Sequence, residues 1–315
     1  MSVFTKRTIN PKHEELAQTL CEERVTKQIR NGLAKLVLPS KQIWEQATHI
    51  LTCNGQELQL PFEVQKTSKT YALDGLAVAQ VLGMSEADSR LPMQIFALYY
   101  LAVHVIDDLA EDYPKFSAHF KISGEHAQHE GQVTKEVLPF SYTLNTVLTI
   151  FRMLMSHGRY AKSTDKIFHN LITSMGAFTH FFLLEQFELS PEKVLEIKER
   201  GVSGVATSMI ADLLCVEDTF NHRTATNLKS ALYYLGSLTQ FTDDLRDYEV
   251  DTARGNANLL VSLERKFKKT SLEMFGQWYV REEELMLHAF HNCGLDLNTD
   301  LMRAIPWHPS VLDVK

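Results

Sequence analysis

The chain has 315 residues, of which 44% are hydrophobic and 23% charged, and this composition excludes a wholly disordered or fibrous protein. A formal net charge of -7 counts against general nucleic-acid binding, because that function needs a basic surface. The four cysteines form no CxxC pair, which disfavours a structural zinc site and a disulfide scaffold. No apolar run approaches the ~18 residues that a membrane helix needs, and the first residues lack the apolar core of a secretory signal. We therefore expect a soluble cytosolic protein.

The spacing of apolar residues predicts an all-α fold. Only 14 glycines and 9 prolines interrupt the sequence, and most apolar residues recur every three or four positions. The predicted helices cover 11–36, 41–52, 72–82, 86–112, 141–158, 163–187, 191–218, 224–252, 257–266 and 270–293. Helix caps are predicted at Ser85, at Ser190 before Pro191, and at Thr270 or Ser271.

Two stretches are poor helix formers. The segment 55–64 is compatible with a short hairpin or an extended strand, and the segment 113–138 contains Pro114, two glycines and three histidines. Because the second stretch follows an acidic cluster directly, we expect a loop over a site there. The sequence contains no internal repeat or linker, so we predict a single domain over 1–315.

The first acidic cluster ends the apolar stretch IFALYYLAVHVIDDLAEDY (95–113). Asp107 and Glu111 lie one helical turn apart, as do Asp108 and Asp112, so each pair shares a helix face. Like charges this close repel one another by roughly 4 kcal/mol at an effective dielectric near 20. The cluster therefore requires a counter-ion, which can be a metal ion.

The second acidic cluster ends another apolar helix. Asp243, Asp247 and Asp251 are spaced by four residues, whereas Asp244 and Glu249 point elsewhere. Carboxylates without His or Cys suit Mg²⁺, which keeps several waters and accepts substrate phosphates as further ligands. Two such clusters on facing helices would form a diphosphate clamp. For either cluster alone, a solvated helix end with acids four residues apart explains the pattern equally well.

Three segments resemble the class I isoprenoid synthases, in particular the squalene/phytoene synthase branch and the terpene cyclases. The stretch QFTDDLRDYEVD (240–251) resembles the second acidic motif of both groups. The first acidic cluster is similar to their first aspartate-rich motif, and QKTSKTYA (65–72) is similar to a basic segment that contacts diphosphate in the head-to-head enzymes. The matches span about 65–260 and imply a helical bundle with a central apolar cavity.

The resemblance implies a Mg²⁺-dependent reaction, with three Mg²⁺ ions, on a prenyl diphosphate, and it implies a homodimer only by analogy. The catalytic residues would be Asp107, Asp243 and Asp247. The metal ligands would be Asp107, Asp108, Glu111, Asp243, Asp247 and Asp251. The diphosphate-binding residues would be Lys69, Arg200, Arg246 and Arg254. The pocket residues would be Phe96, Tyr99, Tyr100, Phe178, Gly204, Tyr233 and Phe241. Arg246 could equally pair with a neighbouring acid on its own helix.

One departure from the head-to-head synthases favours a cyclase. The segment GVSGVAT (201–207) lacks the tyrosine that those enzymes carry there and that is implicated in joining two prenyl diphosphates. Gly201 and Gly204 indicate either a kinked pocket helix or close helix packing. The preferred interpretation is cyclisation of farnesyl diphosphate to a humulene-type sesquiterpene hydrocarbon. The alternatives are a head-to-head prenyl transferase and a non-catalytic helical scaffold.

Overall fold

The computed structural model describes residues 10–52, 62–119, 138–185, 189–216, 220–295 and 298–308. Its side chains are described over the same ranges except at 52, 62–71, 104, 106–119, 138–142 and 178–185. All regular secondary structure in these ranges is helical, which confirms the predicted all-α fold. None of the described helices is long and apolar enough to cross a lipid bilayer.

Twelve α-helices are found in the described ranges. They are α1 (Pro11–Glu22), α2 (Lys27–Thr52), α3 (Phe62–Val81), α4 (Glu86–His119), α5 (Leu138–Ser156), α6 (Thr164–Glu185), α7 (Pro191–Val194), α8 (Val205–Leu214), α9 (His222–Arg254), α10 (Leu259–Phe267), α11 (Ser271–His291) and α12 (Thr299–Ala304). A π-helical segment, Leu195–Gly204, joins α7 to α8 without interruption. Short 3-10 turns lie at Gly158–Tyr160, Lys268–Thr270 and Ile305–Trp307.

The long helix α9 lies in the interior of the bundle. It packs against α8, the π-helical segment and α11, and the C-terminal turn Ile305–Trp307 also contacts it. The helix α4 packs against α3, α5 and α8. One hydrophobic cluster joins buried residues from Ala17 to Trp307. The two helices that carry the acidic clusters, α4 and α9, therefore both pack on α8.

Two glycines allow α9 to approach the π-helical segment very closely. A Cβ atom at Gly236 would lie 2.3 Å from the backbone oxygen of Ser203, and one at Gly204 would lie 2.7 Å from the backbone oxygen of Tyr233. Only glycine fits at either position without moving a backbone. Close packing, one of the two interpretations of the glycine pair, is thus observed at Gly204, and the helix also departs from α geometry there.

The ends of α9 follow local sequence signals. Asn221 caps the first turn by accepting a hydrogen bond from the Thr224 backbone N–H at 2.9 Å. Gly255 ends the helix with a φ of 77°, a left-handed conformation that favours glycine. The predicted caps at Ser85 and Ser190 are confirmed, since each hydroxyl accepts a backbone N–H from the following turn. Thr270 precedes α11 but makes no capping hydrogen bond.

The predicted break near residue 37 is wrong. The first helix ends at Glu22. A second helix begins at Lys27 and continues through Pro39 without a break. A proline inside a helix removes one hydrogen bond. That loss is offset because a single buried face, including Leu33, Ile43 and Ala47, continues across it.

Other predicted boundaries also need correction. The helix α3 begins at Phe62 rather than at 72, so the expected extended segment is wrong at 62–64, and its remaining residues lie outside the described ranges. The helix α4 continues past Pro114 to His119, so the expected loop is wrong over 113–119. Residues 120–137 lie outside the described ranges. The sequence also gave no prediction of α12, because that helix has only six residues.

Candidate active site

One face of α9 carries a row of acids near its C-terminal end. Gln240, Asp243, Asp247 and Asp251 follow one another at three- and four-residue spacing, so their side chains share this face. The Asp243 side chain is 40% exposed, and Asp247 and Asp251 are half-buried. The row therefore remains partly open to solvent although the opposite face of the helix is core.

Asp243 already has a cation beside it. The Arg246 guanidinium forms an ion pair with Asp243 from one turn further along, and Gln240 Nε2 lies 3.4 Å from Asp243 Oδ2. Arg246 therefore pairs with an acid of its own helix, as one of the two sequence interpretations proposed. It also remains 27% exposed, next to the acidic row.

The neighbouring residue Asp244 has a different environment. Its side chain is fully buried and forms an ion pair with Lys198 of the π-helical segment, at 2.8 Å from Oδ1 to Nζ. Asp244 Oδ2 accepts the backbone N–H of Leu259, the first residue of α10. Asp244 thus joins α9 to the π-helical segment and to α10, and its Oδ1 also lies 3.3 Å from Nε2 of Gln240 in the acidic row.

The last acid of the row is tied to the loop after α9. Asp251 Oδ2 accepts a hydrogen bond of 2.9 Å from Asn258 Nδ2, and that amide also reaches the Asp244 carbonyl at 2.9 Å. Burial raises the pKa of Asp251 to about 7, although the positive charge of Lys198 opposes the shift. Lys198 Nζ also donates to the Ala257 carbonyl at 2.6 Å, which fixes the same loop.

Arg200 lies away from the acidic row. Its Nε donates to Glu282 Oε2 of α11 at 3.1 Å, and a second bond joins its terminal nitrogen to the same carboxylate. The guanidinium also lies over the Tyr234 ring, 5.9 Å from the centroid. The predicted diphosphate-binding role of Arg200 therefore has a structural competitor, since a buried carboxylate already holds this group. Arg254 is exposed in the last turn of α9, and the Lys69 side chain is not described.

The acids of α4 are described only in the backbone. Asp107, Asp108 and Glu111 belong to the C-terminal half of α4, and their side chains lie outside the described set. Among the side chains that the structure describes, no group of three or more His, Cys, Asp or Glu is arranged to hold a metal ion.

The donor chemistry of the α9 row fits Mg²⁺. Asp243 and Asp247 supply carboxylate oxygens from one helix face, with no nitrogen or sulfur ligand beside them, and Mg²⁺ prefers oxygen ligands. Mg²⁺ usually takes one or two carboxylates and completes its shell with water and substrate phosphate. Asp243 and Asp247 are therefore enough for α9 to provide the carboxylate ligands that it would contribute to a Mg²⁺ site.

The predicted pocket aromatics separate into three groups. Phe96, Tyr99 and Tyr100 are fully buried in α4, and the Tyr100 hydroxyl lies 3.1 Å from Thr207 Oγ1 of α8. Phe241 packs between α9 and α11, with its ring centroid 5.1 Å from that of Phe275. The Phe178 side chain is not described.

A cavity of about 540 Å³ lies between α6, α8 and α9. Its walls include Ser174, Val205, Ser208, Met209, Tyr233 and Tyr234. The Tyr233 ring also lies where a Cβ at Gly204 would meet it, at 3.1 Å. Of the predicted pocket residues with described side chains, Tyr233 lines this cavity, whereas Phe241 does not.

Sequence reasoning missed three buried ionisable residues near the site, Asp74, Glu199 and His308, and the partly buried Lys198. Asp74 had a detectable signal, because it is a single carboxylate within the apolar run ALDGLAVAQV (72–81). Lys198 and Glu199 had none, since they belong to an ordinary charged stretch, LEIKER (195–200). His308 comes after the last predicted helix and had no signal either.

The architecture is that of isoprenyl diphosphate synthases. A geranylgeranyl pyrophosphate synthetase from the archaeon Geoglobus acetivorans is similar, with a TM-score of 0.61 at 12% identity over 89% of this chain and 98% of that one. A geranyltransferase from Legionella pneumophila gives 0.58 at 14% identity over 90% and 99% of the two chains. A geranyltranstransferase from Thermotoga maritima gives 0.51 at 16% identity over 85% and 94%. No protein-family model and no curated protein sequence matches the chain.

The shared fold is all-helical, as the sequence predicted. At identities this low, the likeness concerns the fold alone. The three similar structures are named as a geranylgeranyl pyrophosphate synthetase, a geranyltransferase and a geranyltranstransferase.

Proposed function

We propose that this chain, as one domain over 1–315, is a Mg²⁺-dependent class I terpene cyclase. It ionises farnesyl diphosphate and cyclises it to a humulene-type sesquiterpene hydrocarbon with release of diphosphate. The observation that carries the proposal is the partly exposed row Asp243, Asp247 and Asp251 on α9, inside a fold shared with solved prenyl diphosphate synthases. The choice of a cyclase rests on the sequence resemblance.

In this proposal the two acidic clusters hold Mg²⁺ from two helices. Asp243 and Asp247 supply oxygens from α9, and Asp107, Asp108 and Glu111 supply them from α4. Bound Mg²⁺ neutralises the negative charge that develops on a departing diphosphate. Asp251 is the weakest of the predicted ligands, because it is more buried and already accepts a hydrogen bond from Asn258.

The cations of the chain bind the diphosphate oxygens in this scheme. Arg246 is the best placed of them, since it is partly exposed and lies beside Asp243. Lys69 and Arg254 are further candidates. Arg200 is a further candidate, although two of its nitrogens, Nε and Nη2, already donate to Glu282.

An ionised prenyl chain needs a surface that excludes water and stabilises positive charge. Tyr233 gives the cavity between α6, α8 and α9 an aromatic wall, and aromatic faces attract cations. Phe96, Tyr99 and Tyr100 form a buried cluster, with the Phe96 and Tyr100 rings 4.9 Å apart. In the proposal this cluster shapes the floor of the substrate pocket, whereas Phe241 belongs to the core.

Prenyl chain elongation is the second candidate, because the similar solved structures are named as enzymes of that kind. It requires a second substrate, isopentenyl diphosphate, and yields a longer prenyl diphosphate. No comparison favours the head-to-head alternative, and the missing tyrosine in 201–207 counts against it. A non-catalytic scaffold would release no diphosphate.

One assay separates these functions. The purified protein is incubated with Mg²⁺ and farnesyl or geranylgeranyl diphosphate, with and without isopentenyl diphosphate and NADPH. Released diphosphate and organic extracts are then measured. A cyclic C15 hydrocarbon from farnesyl diphosphate alone supports the cyclase. A longer prenyl diphosphate that forms only with isopentenyl diphosphate supports elongation, and a C30 or C40 hydrocarbon supports the head-to-head reaction.

A further inference from the structure

Asn258 caps α10 and also has a buried amide nitrogen that the cap does not use. The residue is 1% exposed, and its Oδ1 accepts the Val261 backbone N–H at 3.2 Å, which caps the first turn of the helix. A serine would cap this turn about as well, because it also supplies an oxygen acceptor. The cap alone therefore does not explain why the residue is an asparagine.

The amide nitrogen of Asn258 is bonded to the C-terminal part of α9. Nδ2 carries two hydrogens and donates to Asp251 Oδ2 and to the Asp244 carbonyl, each at 2.9 Å. The backbone carbonyl of Asp251 in turn accepts the N–H groups of Gly255 and Asn256, at 2.8 and 3.0 Å. The chain that follows α9 is therefore folded around Asp251, and Asn258 fixes the direction of its carboxylate.

Lys198 holds the same loop in place from the π-helical segment. Its Nζ donates to the Ala257 carbonyl at 2.6 Å and forms an ion pair with Asp244 Oδ1 at 2.8 Å. Because Ala257 immediately precedes Asn258, the first of these contacts restricts where the amide can lie. The donor that bonds to Asp251 is thus neutral, whereas the cation bonds to Asp244. A neutral donor orients a carboxylate without cancelling its charge, so the carboxylate can still bind a metal ion.

We propose that Asn258 is a positioning residue for Asp251. By fixing Oδ2, it orients Asp251 as a Mg²⁺ ligand with the remaining oxygen, Oδ1, and it makes the loop before α10 part of the metal site. Asn258 itself touches neither the metal ion nor the substrate. The inference rests on the proposed function, because it takes Asp251 as a Mg²⁺ ligand.

The test is a double-mutant cycle with two variants that keep the helix cap. Asn258→Ser and Asn258→Thr each remove both amide hydrogen bonds, and each is made in the wild-type protein and in Asp251→Asn. The affinity of the full chain for inorganic pyrophosphate is measured by calorimetry at a fixed Mg²⁺ concentration. We expect each variant to weaken binding about tenfold in the wild-type background, because hydrogen-bond partners of metal ligands have effects of this size. In Asp251→Asn, neither should weaken it further.

Asn221→Ser is the matched control. Asn221 caps the other end of α9, where its Oδ1 accepts the Thr224 N–H at 2.9 Å, so the same chemical change is made far from Asp251. This variant should bind pyrophosphate as the wild-type protein does.

Three results would overturn the positioning role while the proposed function stands. They are unchanged affinity in the Asn258 variants, an equal loss in both backgrounds, and a loss of the same size in Asn221→Ser. Unchanged affinity in Asp251→Asn alone would also overturn it, even if neither Asn258 variant folds. Failure of the wild-type protein to bind pyrophosphate with Mg²⁺ would overturn both proposals.

Discussion

Lys198 and Asp244 form a buried ion pair, with 2.8 Å between Nζ and Oδ1 and with 13% and 0% of the two side chains exposed. The pair joins the π-helical segment to α9, and its remaining bonds reach the Ala257 carbonyl and the Leu259 N–H. Asp243, the residue immediately before Asp244, is partly exposed and pairs instead with Arg246. Two adjacent aspartates thus have separate tasks, one in the acidic row and one in holding three helical elements together.

The two aspartates should therefore respond differently to the same substitution. Asp243→Asn should lower diphosphate release by about 100-fold or more, because it removes a charge at the proposed metal site, and it should leave the melting temperature nearly unchanged. Asp244→Asn should cost about 3–5 kcal/mol of folding free energy, because it leaves the Lys198 charge buried and unpaired. Diphosphate release and urea denaturation of both variants check this. Equal loss of stability in the two would contradict the assignment.

Glu199 should make stability depend on pH. Burial and the nearby Asp244 raise the pKa of this carboxyl well above its ordinary value of 4.5, while Lys198 opposes the shift. Between 4.5 and the raised value, the folded chain holds a proton that the unfolded chain has lost, so stability falls as pH rises, by up to about 1.4 kcal/mol per pH unit.

Glu199→Gln should remove this contribution. Relative to wild type, the variant should gain stability progressively as pH rises above 4.5, as measured by chemical denaturation at each pH. The same pH dependence in both proteins would mean that Glu199 is ionised in the folded state.

The contact between α9 and the π-helical segment should not tolerate a methyl group. Gly236→Ala would place its Cβ 2.3 Å from the Ser203 backbone oxygen, and we expect a loss of about 1–3 kcal/mol. Gly176→Ala in α6 is the control, because its Cβ would meet nothing within 4 Å. A helix gains about 0.5–1 kcal/mol from that substitution. Thermal unfolding of the two variants should thus shift in opposite directions.

A second buried charge cluster, formed by Arg24, Glu283 and Arg303, should be important for holding the N-terminal helices against α11. Glu283 of α11 accepts two bonds from Arg24, at 2.7 and 2.9 Å, and two longer ones from Arg303. Glu283→Ala leaves both guanidinium groups without this partner and should cost about 3–5 kcal/mol.

Glu196→Ala is the comparison variant for Glu283. It breaks an exposed pair with Lys193 and should leave the free energy of unfolding nearly unchanged. Denaturant titration of both variants measures the difference. If both variants lost a similar amount of folding free energy, the buried cluster would contribute no more to stability than an exposed ion pair does.

The sequence predicted those features that depend on neighbours along the chain. Helical periodicity placed Asp243, Asp247 and Asp251 on one face, and it offered Arg246 a partner within one turn. The cap at Ser190 followed from one residue and the proline after it. Each of these depends on a few consecutive residues, whose relative positions in a helix are fixed.

The contacts between distant residues could not be predicted in this way. Lys198 and Asp244 are 46 residues apart, and Arg200 and Glu282 are 82 apart. Which residues meet depends on how the helices pack, and helical periodicity in one sequence does not specify that. The sequence predicts a diphosphate-binding role for Arg200 but contains no sign of its bonds to the buried Glu282.

The number of residues in the π-helical segment determines which face of α8 packs against α4. Its hydrogen bonds reach back five residues, as from the Val205 N–H to the Arg200 carbonyl, so it contains more residues per turn than an α-helix. Deleting one residue while these hydrogen bonds are kept would rotate everything beyond it by roughly a quarter turn. Thr207 would then no longer face Tyr100. We infer that homologues which keep these contacts conserve the number of residues between Leu195 and Gly204 more strictly than their identity.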